Sequence, residues 1–240
     1  MPLRVVTFDL DNTLWDVEPA LLRAEAVQRA WLLEHRPRAL ADVESATLAA
    51  LRREVVKETP ALVHHVSDLR RAVLHALQRR AGYSEAEARA GAQAAFAAFL
   101  QERHAVELYE EALAVIQSLH GRYRIGALTN GNADIYRTDA GDYFDFAFLA
   151  EEVGAGKPAP DLFEAAIAHA GVAAHEIAHV GDSLEHDVRG AKEAGLRCVW
   201  FNPNGEPRPG DCQPDAEIRC LTELPGALAA LDAGRAGLQN

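Results

Sequence analysis

The chain is poor in cysteine, methionine, aromatic residues and, above all, lysine. Its three cysteines, Cys198, Cys212 and Cys220, are an odd number without C-x-x-C spacing. That argues against a disulfide scaffold or a thiolate metal site and fits a reducing compartment. No uncharged apolar run approaches the ~20 residues of a membrane span, and Met1–Leu14 lacks the layout of a secretory signal. Basic residues number 24 against 36 acidic ones, a formal charge of −12. A general nucleic-acid binder needs a basic footprint, which is missing here. The remaining reading is a soluble, cytoplasmic globular protein that engages neither nucleic acid nor membrane, with monomer and homodimer both open.

Lysine scarcity carries information of its own. Arginines number 21 and lysines three: Lys57, Lys157 and Lys192. Where any positive charge will serve, this sequence uses Arg, so a lysine outside a helix asks for a chemical reason. Alanine supplies 46 of the 240 residues, which favours helix over a large-residue core. The length allows one large domain, or a core with a sizeable insert.

Arg4-Val-Val-Thr-Phe-Asp9 is a short apolar run ending in an acid and reads as a buried strand. Residues 18–104 then turn Ala/Leu/Arg/Glu-rich with helical spacing, and helices are expected at 18–35, 39–58, 67–81 and 84–103. Pro37, Pro60 and the turn at 81–84 separate them, and Ser84 with Glu87 makes a capping-box pattern. Afterwards strand and helix alternate: helix 107–120, strands 124–129 and 146–149, helix 160–170, strand 177–181, helix 184–194, strand 197–202, a weak strand near 216–220 and a closing helix 221–231. This predicts an α/β fold, a doubly wound parallel (Rossmann-like) sheet core with an inserted all-helical domain. The domain assignment is 1–16 with 106–240 for the core and 17–105 for the insertion. Residues 16–105 carry 13 basic and 12 acidic side chains, so the acidity belongs to the core.

Doubly wound sheets bind ligands at the carboxyl ends of their strands. There the chain sets Asp9-Leu-Asp-Asn-Thr13, Thr129-Asn130-Gly131, Gly156-Lys157-Pro158, and Gly181-Asp182-Ser183 followed by Asp187. Asp9 and Asp11 can converge on one cavity, where two carboxylates repel unless a cation joins them or one keeps a proton. That suits a metal-bound nucleophile beside a proton donor. Asp182 offers a third oxygen, Asp187 can orient the group, and hard oxygen ligands suit Mg²⁺. Thr129 and Asn130, before a glycine turn, can hold phosphate oxygens. Lys157 can neutralise a carboxylate and a phosphoryl group together. The plainer alternatives are helix-capping acids, an ordinary turn and a solvated loop lysine. The histidines scatter: His179 falls in a buried strand and His169, His175 and His186 near different helices, so they read as core or surface residues.

These four clusters, in this order, resemble the signature motifs of the haloacid dehalogenase superfamily, over Leu3 to about Asn202. The insertion resembles the helical cap of the subclass whose cap follows the first motif. The resemblance implies that Asp9 is the nucleophile and forms an aspartyl-phosphate. It implies that Asp11 is the acid and then the base, and that Thr129 and the Asn130 backbone bind the phosphoryl oxygens. Lys157 would stabilise the charge, and Mg²⁺ would lie between Asp9, the Asp11 carbonyl and Asp182, with Asp187 in support. Because Asp11 is an acid, phosphate-ester hydrolysis is expected rather than dehalogenation, whose halide leaves unassisted.

The segments 8–14, 59–65, 128–132 and 141–145 further resemble the bacterial flavin-mononucleotide phosphatase branch, which also acts on the phosphoribitylamino-uracil precursor of riboflavin. The implied partner is a small phosphorylated metabolite. His65 and Arg71, in a charged stretch between cap helices, are candidates to read it. Trp15 is a candidate to pack on a planar substrate or, alternatively, to pack at the hinge. The competing functions are a haloacid dehalogenase and a non-catalytic flavin- or phosphate-binding module.

Overall fold

The computed structural model describes residues 2–41, 45–208, 210 and 212–233. It divides into two compact units, Met1–Asp16 with Glu107–Asn240 and Val17–Val106. Strand β1 (Val5–Phe8) opens the first unit and is buried along its whole length. Among the described residues no helix is long and apolar enough to cross a membrane.

The inserted unit is helical throughout its described length. Helix α1 (Val17–His35) is followed by a 3₁₀ turn, Pro37–Leu40, then by α2 (Ser45–Glu58), a second 3₁₀ turn, Pro60–His64, α3 (Val66–Arg80) and α4 (Glu85–Arg103). The expected helix 39–58 is interrupted, and its residues 42–44 lie outside the described residues. The prolines act as expected: each stands at the first turn of a 3₁₀ segment, where its missing N–H is no loss. The capping box forms, with Glu87 N donating to Ser84 Oγ at 3.3 Å and Ser84 N to Glu87 Oε2 at 2.8 Å. Small alanines on α4 (Ala88, Ala92, Ala95) let α1 and α3 approach it, and Leu32, Leu51, Leu74, Leu77, Phe96 and Phe99 fill the space between.

The sheet unit continues with α5 (Ala112–Leu119), β2 (Arg124–Thr129), β3 (Phe146–Leu149), the short α6 (Ala150–Val153), α7 (Asp161–Ala170) and β4 (Ile177–Gly181). A π-helical turn, Leu184–Arg189, runs into α8 (Gly190–Glu193), followed by β5 (Arg197–Phe201), β6 (Ala216–Ile218) and α9 (Leu224–Ala233). All strand pairs are parallel, in the order β3-β2-β1-β4-β5-β6. The order reverses between β1 and β4. A crevice therefore opens at their carboxyl ends, where Asp9 and Asp182 leave the sheet.

In the sheet unit, the expected helices 107–120 and 184–194 also differ from those observed. Helix 107–120 starts only at Ala112, because Leu108 bridges to Trp15 and Tyr109 N donates to Leu14 O at 2.9 Å. These pairings draw residues 107–109 out of helical geometry. Helix 184–194 opens as a π turn, in which Asp187 N and Val188 N both donate to Ser183 O, at 2.9 and 3.1 Å. Single π turns of this kind concentrate at functional sites.

Packing of the sheet face sets one sharp constraint. Gly126 of β2 pairs with Phe146 of β3, and a Cβ at Gly126 would stand 2.2 Å from the Phe146 ring, itself buried against Phe148 and His169. Gly126→Ala is therefore expected to cost about 1–3 kcal/mol of stability by overpacking, measurable as a lower urea midpoint with an unchanged slope.

Candidate active site

Asp9 lies one residue beyond β1, where Asp9 N still donates to Val180 O of β4 at 2.8 Å. The chain then turns tightly. Asn12 adopts a left-handed φ of 63°, Asn12 N donates to Trp15 O at 2.7 Å, and Thr13 N and Leu14 N both return to Leu10 O. Asparagine tolerates that conformation better than other side chains with a Cβ. The turn sets Asp9, Asp11 and Asn12 on one cavity of about 300 Å³, shared with Thr129, Asn130, Gly131, Lys157, Asp182, Ser183, His186 and Asp187. All seven residues expected to carry the core chemistry thus meet in one place. His65 and Arg71 belong to the helical unit. Arg71 pairs there with Asp68 and lies over the Phe96 ring at 4.7 Å. His65 stands half-buried at the entry to α3.

At the centre is Lys157, 3% exposed. Its Nζ donates to Asp9 Oδ1 at 2.7 Å, Asp187 Oδ1 at 2.6 Å and the Leu128 carbonyl at 2.6 Å. Burial favours loss of its proton, but Asp187 and Asp9 outweigh that and hold the ammonium above its ordinary value. The solvated-loop reading of this residue is wrong. The loop that carries it is clamped by Asn130, whose Nδ2 donates to Lys157 O at 2.8 Å and whose Oδ1 accepts from Lys157 N at 2.7 Å. Asn130's side chain thereby ties the loop to the end of β2 through both its oxygen and its nitrogen. Thr129 Oγ1 accepts from Gly131 N at 2.9 Å, which fixes the hydroxyl at the cavity wall.

Asp187 is nearly inaccessible and multiply bonded. Oδ1 accepts from Lys157 and from His179 Nε2 at 3.1 Å, and Oδ2 from Ser183 N at 3.0 Å. Burial pushes its carboxyl upward, yet Lys157 and His179 hold it well below the usual range. Gly181 makes room for it, since a Cβ there would come 2.2 Å from Asp187 Cγ. His179 is a core histidine, as expected, but it also extends this network. Its Nδ1 lies 2.9 Å from Thr7 Oγ1. A carboxylate accepts only, so Nε2 carries the proton, Nδ1 accepts, and the Thr7 hydroxyl donates. Burial lowers the His179 pKa and keeps the ring neutral. The sequence signal for this pair is two polar residues, Thr7 and His179, in otherwise apolar strands; they face each other in the β1–β4 register.

Trp15 is fully buried, and its Nε1 donates to Asp11 Oδ1 at 2.8 Å. It has no exposed face to offer a planar substrate. His186, read as core or surface, lies exposed at the cavity wall.

Three carboxylates surround one ammonium, and the balance is short of positive charge. Asp9, Asp182 and Asp187 can bring an oxygen each within 4.8 Å of one another. Burial first, then Asp187 and Asp182 against the counteracting Lys157, raises the Asp9 carboxyl far above its ordinary value. Burial and Asp187 raise Asp182 to about 6. Thr13 Oγ1 reaches Asp9 Oδ2 and Asp182 Oδ1 only at 3.5 and 3.4 Å, the outer limit of a hydrogen bond. Oxygens of Asp9 and Asp182 therefore fit a hard divalent cation, while Asp187, saturated by donors, supports from behind.

A carboxyl raised in the folded chain binds its proton more tightly there than in the unfolded chain. Asp9 and Asp182 thus remove stability as pH climbs from their ordinary 3.8, for Asp182 through about 6. A cation replaces those protons, so millimolar Mg²⁺ is expected to raise the melting temperature more at pH 8 than at pH 5. Calorimetry with and without chelator checks the sign, and an equal shift at both pH values counts against cation binding by these acids.

A family model described as haloacid dehalogenase-like hydrolase matches residues 3–195. The chain is 34% identical over 222 residues to the 5-amino-6-(5-phospho-D-ribitylamino)uracil phosphatase YigB of Escherichia coli, covering 92% of this chain and 91% of that one. It is 30% identical to a glyceraldehyde 3-phosphate phosphatase of Methanopyrus kandleri, over 92% and 95% of the two chains. Among solved structures it resembles one titled a 2-haloacid dehalogenase from Pseudomonas syringae, with 42% identity, a TM-score of 0.92 and coverage of 95% and 99%. Matched over most of its length by the family model and by these relatives, and carrying the acids and lysine in one crevice, the chain belongs to the haloacid dehalogenase-like hydrolases.

Proposed function

We propose that this enzyme hydrolyses phosphate monoesters through a phosphorylated Asp9, with Mg²⁺ as its cation. It is a phosphatase of the haloacid dehalogenase-like family and acts on small phosphorylated metabolites. The observation that carries the chemistry is Asp11, a carboxyl sharing one small cavity with the nucleophile Asp9 and with Lys157.

Each residue follows from its surroundings. Asp9, at the head of β1, attacks phosphorus, and Lys157 stabilises its carboxylate by charge. The Thr129 hydroxyl, oriented by Gly131 N, and the Asn130 main-chain N–H receive phosphoryl oxygens. Asp11 gives a proton to the departing oxygen and later takes one from the water that cleaves the Asp9 ester. Asp9, Asp182 and the Asp11 carbonyl would hold Mg²⁺, which would supply positive charge against the crowded oxygens. Asp187 and His179 keep Lys157 charged and in place.

The similarity to a structure titled a 2-haloacid dehalogenase favours a second reading, chloride displacement from a short haloacid. Asp11 weighs against it, because halide departure needs no acid. For the substrate, the likeness to the E. coli phosphoribitylamino-uracil phosphatase over nine-tenths of the chain supports that ester, and flavin mononucleotide rests on the motif resemblance alone. His65 and Arg71 remain the candidates to read the leaving group.

Asp9→Asn is expected to abolish release of phosphate from p-nitrophenyl phosphate while circular dichroism stays unchanged; retained turnover sinks the assignment. On a panel of the uracil ester, flavin mononucleotide, sugar phosphates and 2-chloropropionate, the first two are expected to show the highest kcat/KM and the last no chloride release. Asn130→Ala unclamps Lys157 and is expected to lower kcat ~10–100-fold, since displacing a catalytic group by about 1 Å costs that much.

A further inference from the structure

Trp15 stands four residues beyond Asp11, and its indole is 0% exposed. Its only polar side-chain atom, Nε1, donates to Asp11 Oδ1 at 2.8 Å. The residue is fastened on two sides by main chain. Trp15 O accepts from Asn12 N at 2.7 Å, and Trp15 bridges to Asp11 and to Leu108, where the chain returns from the helical insertion. Next to it, Tyr109 N donates to Leu14 O at 2.9 Å. The donor is therefore rigid, and the carboxyl it holds is half-buried at the wall of the reaction cavity.

An indole N–H donates and cannot accept. A carboxyl oxygen that serves as its acceptor is a poor place for a proton, because a hydroxyl oxygen accepts less well and would weaken a buried N–H bond. We infer that Trp15 is a positioning residue for acid–base catalysis. By holding Oδ1 it fixes the rotation of the Asp11 carboxyl about its stem. This rests on Asp11 being the acid of the phosphatase reaction.

In the first step the Asp9 oxygen bonds to phosphorus, the bond from phosphorus to the leaving oxygen breaks, and that oxygen takes the pair and the proton from the Asp11 carboxyl. In the second, the Asp11 carboxylate takes a proton from water as the water oxygen bonds to phosphorus and the Asp9–phosphorus bond breaks. Throughout both steps Oδ1 stays with the indole.

Trp15→Phe keeps most of the ring and removes the donor. The value of kcat/KM reports the first step, and acid assistance matters there only for a poor leaving group. The variant is expected to lose about tenfold or more in kcat/KM on phenyl phosphate, a fraction of what a positioned acid contributes. On p-nitrophenyl phosphate, which leaves unaided, the loss should be under about threefold on the same grounds. Combined with Asp11→Asn, it should add nothing on phenyl phosphate. Equal losses on both esters, or additive losses in the double variant, would overturn the proposal and leave Trp15 a packing residue. A direct measurement covers poor folding of the Phe variant or an inactive parent chain. In the ¹⁵N spectrum of the parent, the Trp15 indole N–H should move upfield on Asp11→Ala; an unmoved resonance means the bond, and the proposal with it, does not exist. An inactive parent with a moved resonance fails the phosphatase reading and leaves the pairing standing.

Discussion

The site depends on one buried ammonium. Lys157 has three N–H donors, and the structure gives it three acceptors, Asp9 Oδ1, Asp187 Oδ1 and the Leu128 carbonyl. A tetrahedral group with three hydrogens matches acceptors arriving from a loop, a π turn and a strand, whereas the planar fork of arginine would match a coplanar pair. This explains why a chain that writes most of its positive charges as Arg keeps a lysine here. With all three hydrogens committed, Lys157 has its charge left to act on any group bound in the cavity. Burial of a charge is costly unless it is paired and hydrogen-bonded, so the surrounding construction, from the Asn130 clamp to the Thr7–His179–Asp187 relay, serves to satisfy that ion.

The topology supplies the rest of the convergence. Reversal of strand order between β1 and β4 leaves their carboxyl ends without a covering crossover and sets Asp9 beside Asp182. Thr129 ends β2, the neighbour on the other side of β1. Three residues more than fifty positions apart in sequence thus meet because consecutive turns of a parallel sheet finish at one level. The chemistry needs no long-range coincidence beyond the fold itself.

Much of this was legible in the sequence because it is written locally. Asp9, Asp11, Thr129, Lys157 and Asp182 each follow an apolar run or a glycine turn, and period and punctuation locate such positions. The Ser84 capping box and the proline boundaries of the helical insertion are local too. What sequence reading missed depends on partners distant in the chain. Residues 107–109 look helical by composition, but the Trp15–Leu108 bridge and the Tyr109–Leu14 bond claim them. The π turn at 184–189 looks like ordinary helix, but Asp187 must point inward to Lys157. His179 looks like a core residue because it is one, and its second role shows only once β1 and β4 are paired in register. Trp15 reads as an aromatic beside a catalytic loop, an invitation to stack on substrate, until its complete burial and its bond to Asp11 assign its edge rather than its face.

The acidity of the chain acquires a physical meaning at the same place. A cluster of carboxylates beside a site for an anionic ester would repel its substrate if nothing offset it. One ammonium does not suffice: with Lys157 alone, Asp9 and Asp182 are still pushed toward protonation, and a protonated Asp9 is no nucleophile. The deficit is selective, because Asp187, with donors on both oxygens, is held below the usual carboxylate range while Asp9 and Asp182 are pushed above it. The protein thus locates its unmet negative charge on the oxygens that can reach a cation, and keeps the remaining carboxylate for the lysine. A divalent ion held by those oxygens would favour the ionised form of Asp9 and offset the repulsion together, so the ordering of charge within the crevice, more than its total, would suit an acidic protein to an anionic substrate.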